Sequence, residues 1–486
     1  MFKGIITNIL FLSILSSPQI AFAQASGLQD ILEHIDSDNY LNGKQYSFLS
    51  PIVNDKDVVL LGESIHLTRE FPLVRIGMIK YLNQNHDFNV IAMEGGAADY
   101  WAAQDILFSS EKNESDFTEA LSAFPFIWNT PEVQELIAYQ ASTLQSENPL
   151  YITAYDVQLG IGQGTKNEKA FKLLAERLML YSDPPQNFIL EDWVAAMSPI
   201  SNHCIKYEPS DYQKVLSAIH LFEEWANTLA PGLKKQYPNI PHDTILKTMP
   251  KSFRASLTLC EDLGGFNMSR YKVVRDSIGF INTIDLIQSI LNNKILIWGH
   301  LSHVYYDSQD NVISEYGEFK NLAVGPTVGE RLKDALGSKV YTIIPFAESG
   351  STILIYNDLN LDIGYSKIEN SSKLGDLLSK ASEEDFFIDL RSPSLTAEDY
   401  PELFTKQPFA LEGLKSDFKI NYTSDMDGLI WIKKIGAPDW PLFKIILLSS
   451  LHYKTQIGLI MIFGLGWIIF SRIKKRRKNK DTLLFH

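Results

Sequence analysis

Val58-Val-Leu-Leu-Gly-Glu-Ser-Ile-His-Leu-Thr-Arg-Glu-Phe71 decides the fold. Four apolar residues in a row, without period-2 alternation, read as a strand buried on both faces. Gly62-Glu63 ends that run in a polar turn that exposes Glu63 and His66. A helix follows, with Thr68 as its N-cap and Phe71, Val74, Met78, Tyr81 and Leu82 recurring at helical spacing up to Asn85. That helix turns Arg75 back toward the two polar residues. A strand, a polar turn and a helix make the unit of an open α/β sheet, whose ligands bind beyond the carboxyl ends of the strands.

The same pattern recurs in both directions. Val90–Met93 runs into Glu94, Leu150–Ala154 into Asp156, Ile295–Trp298 into His300 and His303, and Val340–Pro345 into Glu348. Helices are expected over Asp99–Ser109 and Pro131–Leu144, after a mixed lead-in at 24–57. Residues 160–290 change character, with long amphipathic runs at Glu168–Tyr181, Gln213–Ala230 and Tyr271–Asn292 separated by proline-containing loops. They read as a helical cap or insertion. Strands resume at Ile295 and continue through Ser351–Tyr356, Phe386–Leu390 and Leu429–Lys433. The expected fold is α/β, a mainly parallel sheet flanked by helices, forming one domain over 24–440.

Hydrophobic residues make up 45% of the 486, and aromatics 12%, a composition that buries a core. The net charge is −14, yet Arg472, Lys474, Lys475, Arg476, Arg477, Lys478 and Lys480 crowd the last 15 residues with only Asp481 against them. The preceding chain therefore carries −20, the wrong sign for a nucleic-acid surface. Residues 1–23 read as a signal peptide: Lys3, then the apolar Ile5–Leu15, then Ala21-Phe-Ala23. Thr455–Phe470 contains no charged residue, and 455–471 is the expected transmembrane helix, joined to the domain by 441–454. The basic tail, 472–486, stays in the cytoplasm. The expected topology is a single-pass membrane protein with an extracytoplasmic domain and the lipid bilayer as partner. Cys204 and Cys260 are the only cysteines, either one disulfide or two thiols, and they rule out a thiolate zinc site.

Histidine titrates near neutral pH, and a carboxylate beside it fixes its tautomer, so Glu63 and His66 suit general-base chemistry. A G-E-x-x-H string alone equally describes a capped strand end, and it lacks the second histidine of a zincin helix. Glu94 precedes Gly95-Gly96, which allows either close backbone approach to a ligand or a helix cap. His300 and His303, three apart at a strand end, favour a site. Asp156, Glu70 and Glu348 read first as structural, and Trp128 as packing or the wall of an apolar pocket. No G-x-S-x-G elbow is present, which fits attack by water over an acyl-enzyme. Three outcomes remain: a metal-free hydrolase, a metallohydrolase holding a divalent ion with Glu63, His66, Glu94, His300 and His303, or a binder without turnover.

Leu61-Gly-Glu-Ser-Ile-His-Leu-Thr-Arg-Glu-Phe71 with Arg75 resembles the opening motif of the erythromycin esterase family. So do Ala92-Met-Glu94, Phe124-Pro-Phe-Ile-Trp-Asn-Thr130, Ala154-Tyr-Asp156 and Arg275-Asp-Ser-Ile-Gly-Phe-Ile-Asn282. Trp298-Gly-His-Leu-Ser-His-Val304, Val328-Gly-Glu-Arg-Leu332 and Met426-Asp-Gly-Leu-Ile-Trp-Ile432 complete the series, in the family's order over about 45–435. The resemblance implies hydrolysis of an ester or lactone, macrolide antibiotics being the family's substrates, without a metal cofactor. It makes His66 the base, Glu63 and Glu94 its tuning partners, and Arg75 a member of the same cluster. It places His300 and His303 in the cleft against the carbonyl oxygen, with Trp128 and Asp156 toward the substrate. Leu301 stands where Asn is common and Leu67 where Gly or an aromatic is usual, so the resemblance carries hydrolytic chemistry more than macrolide specificity.

Overall fold

The computed structural model describes residues 27–440, apart from 109–125, 158–167, 201–203, 205–206, 238–239, 265–267, 291, 293, 308–311, 317–318, 324, 358–361, 371 and 409–418. The expected signal peptide and the 455–471 helix with its basic tail lie outside these residues. Among the described residues no helix is long and apolar enough to cross a membrane.

In chain order the strands are β1 (Glu33–Ile35), β2 (Val58–Leu61), β3 (Val90–Gly96), β4 (Tyr151–Asp156), β5 (Ile295–Trp298), β6 (Val312–Tyr316) and β7 (Phe319–Ala323). They continue with β8 (Val340–Asn357), β9 (Asp362–Glu369), β10 (Asp385–Asp389), β11 (Gln407–Pro408), β12 (Lys419–Ile420) and β13 (Gly428–Ile435). Nine of them form one sheet in the order β1-β10-β13-β8-β2-β5-β3-β4, with β9 paired to β8. From β13 to β4 the neighbours are parallel, whereas β1–β10, β10–β13 and β8–β9 are antiparallel. The parallel part carries the site, because β5 returns between β2 and β3 and brings three carboxyl ends side by side.

The helices that matter here are α1 (Glu70–His86), α2 (Ala97–Phe108), α3 (Pro131–Thr143), α4 (Glu168–Met179), α5 (Leu190–Met197), α6 (Tyr212–Gln236), α7 (His242–Gly264) and α8 (Met268–Ser289). Alternate strand residues point to opposite faces, and the core divides accordingly. Val59, Leu61, Ile91, Met93, Leu296 and Trp298 pack with α1 and α3 on one face. Val58, Leu60, Val90, Ala92, Ile295 and Ile297 share the other core with α4 to α7. The helices of 160–290 therefore form a layer of the body. A disulfide joins Cys204 to Cys260 within that layer, resolving the two options left by sequence.

Three expectations need correction. Val340–Pro345 and Ser351–Tyr356 are a single 18-residue strand, β8, with Glu348 inside it. Its first half pairs in the parallel sheet and its second half with β9, so the chain runs on through 346–350 without a turn. Thr68 does not cap α1: Leu67 takes a left-handed φ of 53°, and the helix begins two residues later at Glu70. The helix α7 lay unread because Pro250 sits inside it.

Gly77 of α1 lies where an added Cβ would come within 2.0 Å of the Tyr40 carbonyl oxygen and 2.3 Å of Tyr46. Alanine improves helix propensity by about 1 kcal/mol, but a backbone oxygen at that distance forces a shift of the lead-in segment. Gly77→Ala is expected to lose about 1–3 kcal/mol net, read as a lower urea midpoint. An unchanged or raised midpoint would contradict this packing.

Candidate active site

Leu61, Trp298 and Met93 are level across β2, β5 and β3, since Leu61 pairs with Trp298 and Trp298 with Met93. The residues that follow each of them emerge at one edge of the sheet. Gly62 is required there, because a Cβ would lie 2.9 Å from both Ile344 and Val304. The Leu301 N–H donates to the Glu63 carbonyl at 2.7 Å, and the His300 N–H to Glu94 Oε2 at 2.9 Å. These two bonds stitch the three strand ends together.

Glu63 is 1% exposed and divides its carboxylate between two partners. Oε1 bonds to His66 Nδ1, and Oε2 accepts from the Arg75 guanidinium. Arg75 is fully buried, with its guanidinium carbon 3.7 Å from the Trp298 ring centroid. Burial pulls its pKa down to about 10, with Glu63 and Glu94 opposing that shift, so it remains a cation at neutral pH. A carboxylate held by a guanidinium only accepts hydrogen bonds. His66 Nδ1 must then carry a proton, so in the neutral ring it is Nε2 that keeps a lone pair.

The ring of His300 lies 4.5 Å from that of His66, centroid to centroid. Its Nδ1 accepts from the Ser302 N–H at 3.2 Å and lies 2.9 Å from Ser302 Oγ. Backbone N–H only donates, so in neutral His300 the proton sits on Nε2. Burial holds its pKa well below the ordinary histidine value, and the neighbouring His66 adds to that. In their neutral forms the two adjacent imidazoles thus take opposite tautomers. Trp128 packs edge-on to His66 at 5.2 Å and donates from Nε1 to the Glu94 carbonyl at 2.9 Å. His66 is the most open member of the cluster, with 19% of its side chain exposed.

Glu94 anchors the other half. Its Oε1 accepts from Arg275 at 2.8 Å and lies 3.4 Å from His303 Nε2. Burial alone would push its pKa up, but His303 and Arg275 outweigh that and hold it far below the usual carboxylate range. Arg275 also clamps Asp156 through Nε at 2.9 Å to each oxygen. Asp276 accepts from His303 Nδ1 at 2.6 Å and from Lys272 at 2.8 Å. Burial opposes ionisation of Asp276, and His303 and Lys272 overcome it, leaving its pKa lowered.

The structure brings Glu63, His66, Arg75, Glu94, Trp128, Asp156, His300 and His303 into one continuous network. Glu348 lies apart, paired with Lys433 at 2.6 Å. Arg275, Asp276 and Ser302 were not assigned roles from sequence, although adjacent opposite charges on an amphipathic helix, Arg275-Asp276, were the available signal. Among the described residues no group of three or more His, Cys, Asp or Glu side chains is arranged to hold a metal ion. The carboxylates of Glu63 and Glu94 are instead committed to guanidinium groups.

A buried polar network with paired imidazoles at the carboxyl edge of an α/β sheet has the form of an enzyme site. The erythromycin esterase model matches residues 83–435, beginning after Glu63, His66 and Arg75. The putative hydrolase YbfO of Bacillus subtilis is 22% identical over 436 residues, 82% of this chain and 88% of that protein. Erythromycin esterase type I of Escherichia coli is 23% identical over 388 residues, 74% and 87% of the two chains. A Bacillus cereus protein of known crystal structure superposes with a TM-score of 0.62 at 14% identity, covering 86% of this chain and 98% of that one. A histidine-to-asparagine mutant of the erythromycin esterase EreC, in its open conformation, gives 0.56 at 16% identity, covering 82% and 97%. The chain belongs to the erythromycin esterase family.

The Arg275 guanidinium bonds both Glu94 and Asp156, so its removal leaves two buried carboxylates without that shared cation. Arg275→Ala is expected to cost about 3–5 kcal/mol at pH 7. Without the cation Glu94 binds a proton more readily, so the deficit against wild type should shrink as pH falls toward 5. Chemical denaturation at the two pH values measures both. A deficit that grows on acidification would contradict this assignment.

Proposed function

We propose that this protein is a membrane-anchored, extracytoplasmic hydrolase of carboxylic esters or lactones in which His66 activates water. The observation that carries the proposal is the pair of rings with centroids 4.5 Å apart, His66 Nδ1 on the Glu63 carboxylate and His300 Nδ1 on the Ser302 N–H. In their neutral forms one ring offers a lone pair at Nε2 and the other an N–H. His66 Nε2 takes a proton from water as the oxygen attacks the carbonyl carbon. His300 Nε2–H stabilises the oxyanion of the tetrahedral intermediate. Collapse breaks the acyl C–O bond, and the leaving alkoxide takes the proton held by His66, giving one acid and one alcohol. Glu63 steadies the imidazolium formed on the way.

The remaining side chains act through these two. Arg75 fixes the Glu63 carboxylate in place, and His303 with Arg275 keeps Glu94 ionised, which holds the His300 backbone. Trp128 forms an apolar wall beside His66, and Asp156 serves by clamping Arg275. The metal-free reading is favoured over a metallohydrolase because arginines already neutralise Glu63 and Glu94. Export is supported by the Cys204–Cys260 disulfide and by the apolar segments at 1–23 and 455–471. Erythromycin is the substrate named for the esterase relative; here macrolides stand as candidates within a broader ester class.

His66→Ala is expected to lower kcat by about 10²–10⁴ with the fold intact by circular dichroism. His300→Ala should lose about 10²–10³ in kcat with KM little changed. Exhaustive chelation should leave turnover as it was. Near wild-type hydrolysis by His66→Ala, or loss of activity on chelation restored by a divalent ion, would overturn this mechanism.

A further inference from the structure

After β13 the chain does not leave the body at once. Residues 436–440 fold back across the edge that carries the site. The Arg69 N–H donates to the Gly436 carbonyl at 2.8 Å, and the Gly436 N–H to Glu70 Oε2 at 2.7 Å. Asp439 donates from its backbone to Glu132 Oε1 at 2.9 Å, and the buried Trp440 from Nε1 to the Asn129 carbonyl at 3.3 Å. These contacts clasp the segment that follows His66 and the one that follows Trp128. The stem is therefore part of the rim of the site.

The sequence turns apolar directly beyond it. Pro441–Lys454 contains Leu442, Phe443, Ile445, Ile446, Leu447, Leu448 and Leu451, with Lys444 and Lys454 its only formal charges. A stretch of that composition partitions into the interface between water and lipid, and Tyr453 is a residue type enriched there. Trp440, fixed at the rim, is the last described residue before that stretch.

We propose that the catalytic edge faces the bilayer, and that the substrates are amphiphilic esters or lactones drawn from the membrane surface. This rests on the anchored-hydrolase reading and deepens it by naming the substrate class. A lipid-facing mouth raises the effective concentration of a partitioned ester, whereas a water-soluble short-chain ester gains nothing. The chemistry is unchanged: water adds to the carbonyl, the ester C–O bond breaks, and acid and alcohol leave.

The full chain, reconstituted into phosphatidylcholine–phosphatidylglycerol vesicles, tests this in two arms. In the first, a fluorogenic oleate ester and the matching acetate are hydrolysed in vesicles and in detergent micelles. The oleate-to-acetate ratio of kcat/KM should rise about tenfold or more in vesicles, as effective concentration requires. An unchanged ratio overturns the substrate class. In the second, single fluorophores are placed through Gln134→Cys, on the first turn of α3 at the catalytic edge, and Asp55→Cys, before β2 at the opposite edge. Headgroup-nitroxide lipid should quench the Gln134 label more strongly. Equal or reversed quenching overturns the orientation. Failure of the chain to enter vesicles overturns the anchor itself, while failure to hydrolyse even the acetate, with quenching as expected, overturns the hydrolase reading and not the orientation.

Discussion

The carboxylate of Glu63 is the constraint on which the site depends. Its two oxygens hold a buried arginine on one side and the His66 imidazole on the other. Burying Arg75 beneath Trp298 costs several kcal/mol of desolvation unless a counter-charge meets it. Glu63 supplies that charge, and in doing so it becomes an acceptor that fixes the His66 proton on Nδ1. A structural requirement of the core and a tautomer requirement of the chemistry are met by the same group. Strain lies beside it: Leu67, buried and left-handed, ends the loop that aims His66. The Thr352 hydroxyl holds that loop by donating to the His66 and Leu67 carbonyls at 2.8 and 2.9 Å.

Glu94 plays the matching part on the neighbouring strands, and its partners show why the helical insertion belongs to the site. Arg275 and Asp276 come from α8, within 160–290, and reach Glu94, Asp156 and His303 at the carboxyl edge. The insertion thus supplies the charges that keep the acids ionised. It cannot drift as a free lid, because α4 to α7 share a continuous core with the sheet.

Much of this was legible in the sequence, for identifiable reasons. β2 and β5 were read at Val58–Leu61 and Ile295–Trp298 because uninterrupted apolar runs bounded by glycine have few other readings. The convergence of His66, Glu94 and His300 followed from the strand-end rule for parallel sheets. What escaped was long-range pairing. The partnership of Arg275 with Asp156, 119 residues apart, leaves no spacing signal, and β8 changes partners midway without a break in pattern. The start of α1 was misplaced because a left-handed leucine is a tertiary outcome, stabilised by contacts that no local propensity encodes.

The claim at the centre is that His66 and His300 hold opposite tautomers in the resting protein. Nitrogen-15 NMR of the histidine-labelled full chain, with the two rings assigned through His66→Ala and His300→Ala, reads this directly. The account predicts protonated Nδ1 with a bare Nε2 for His66, and bare Nδ1 with protonated Nε2 for His300, at neutral pH. The same tautomer in both rings, or an imidazolium at His300, would contradict it.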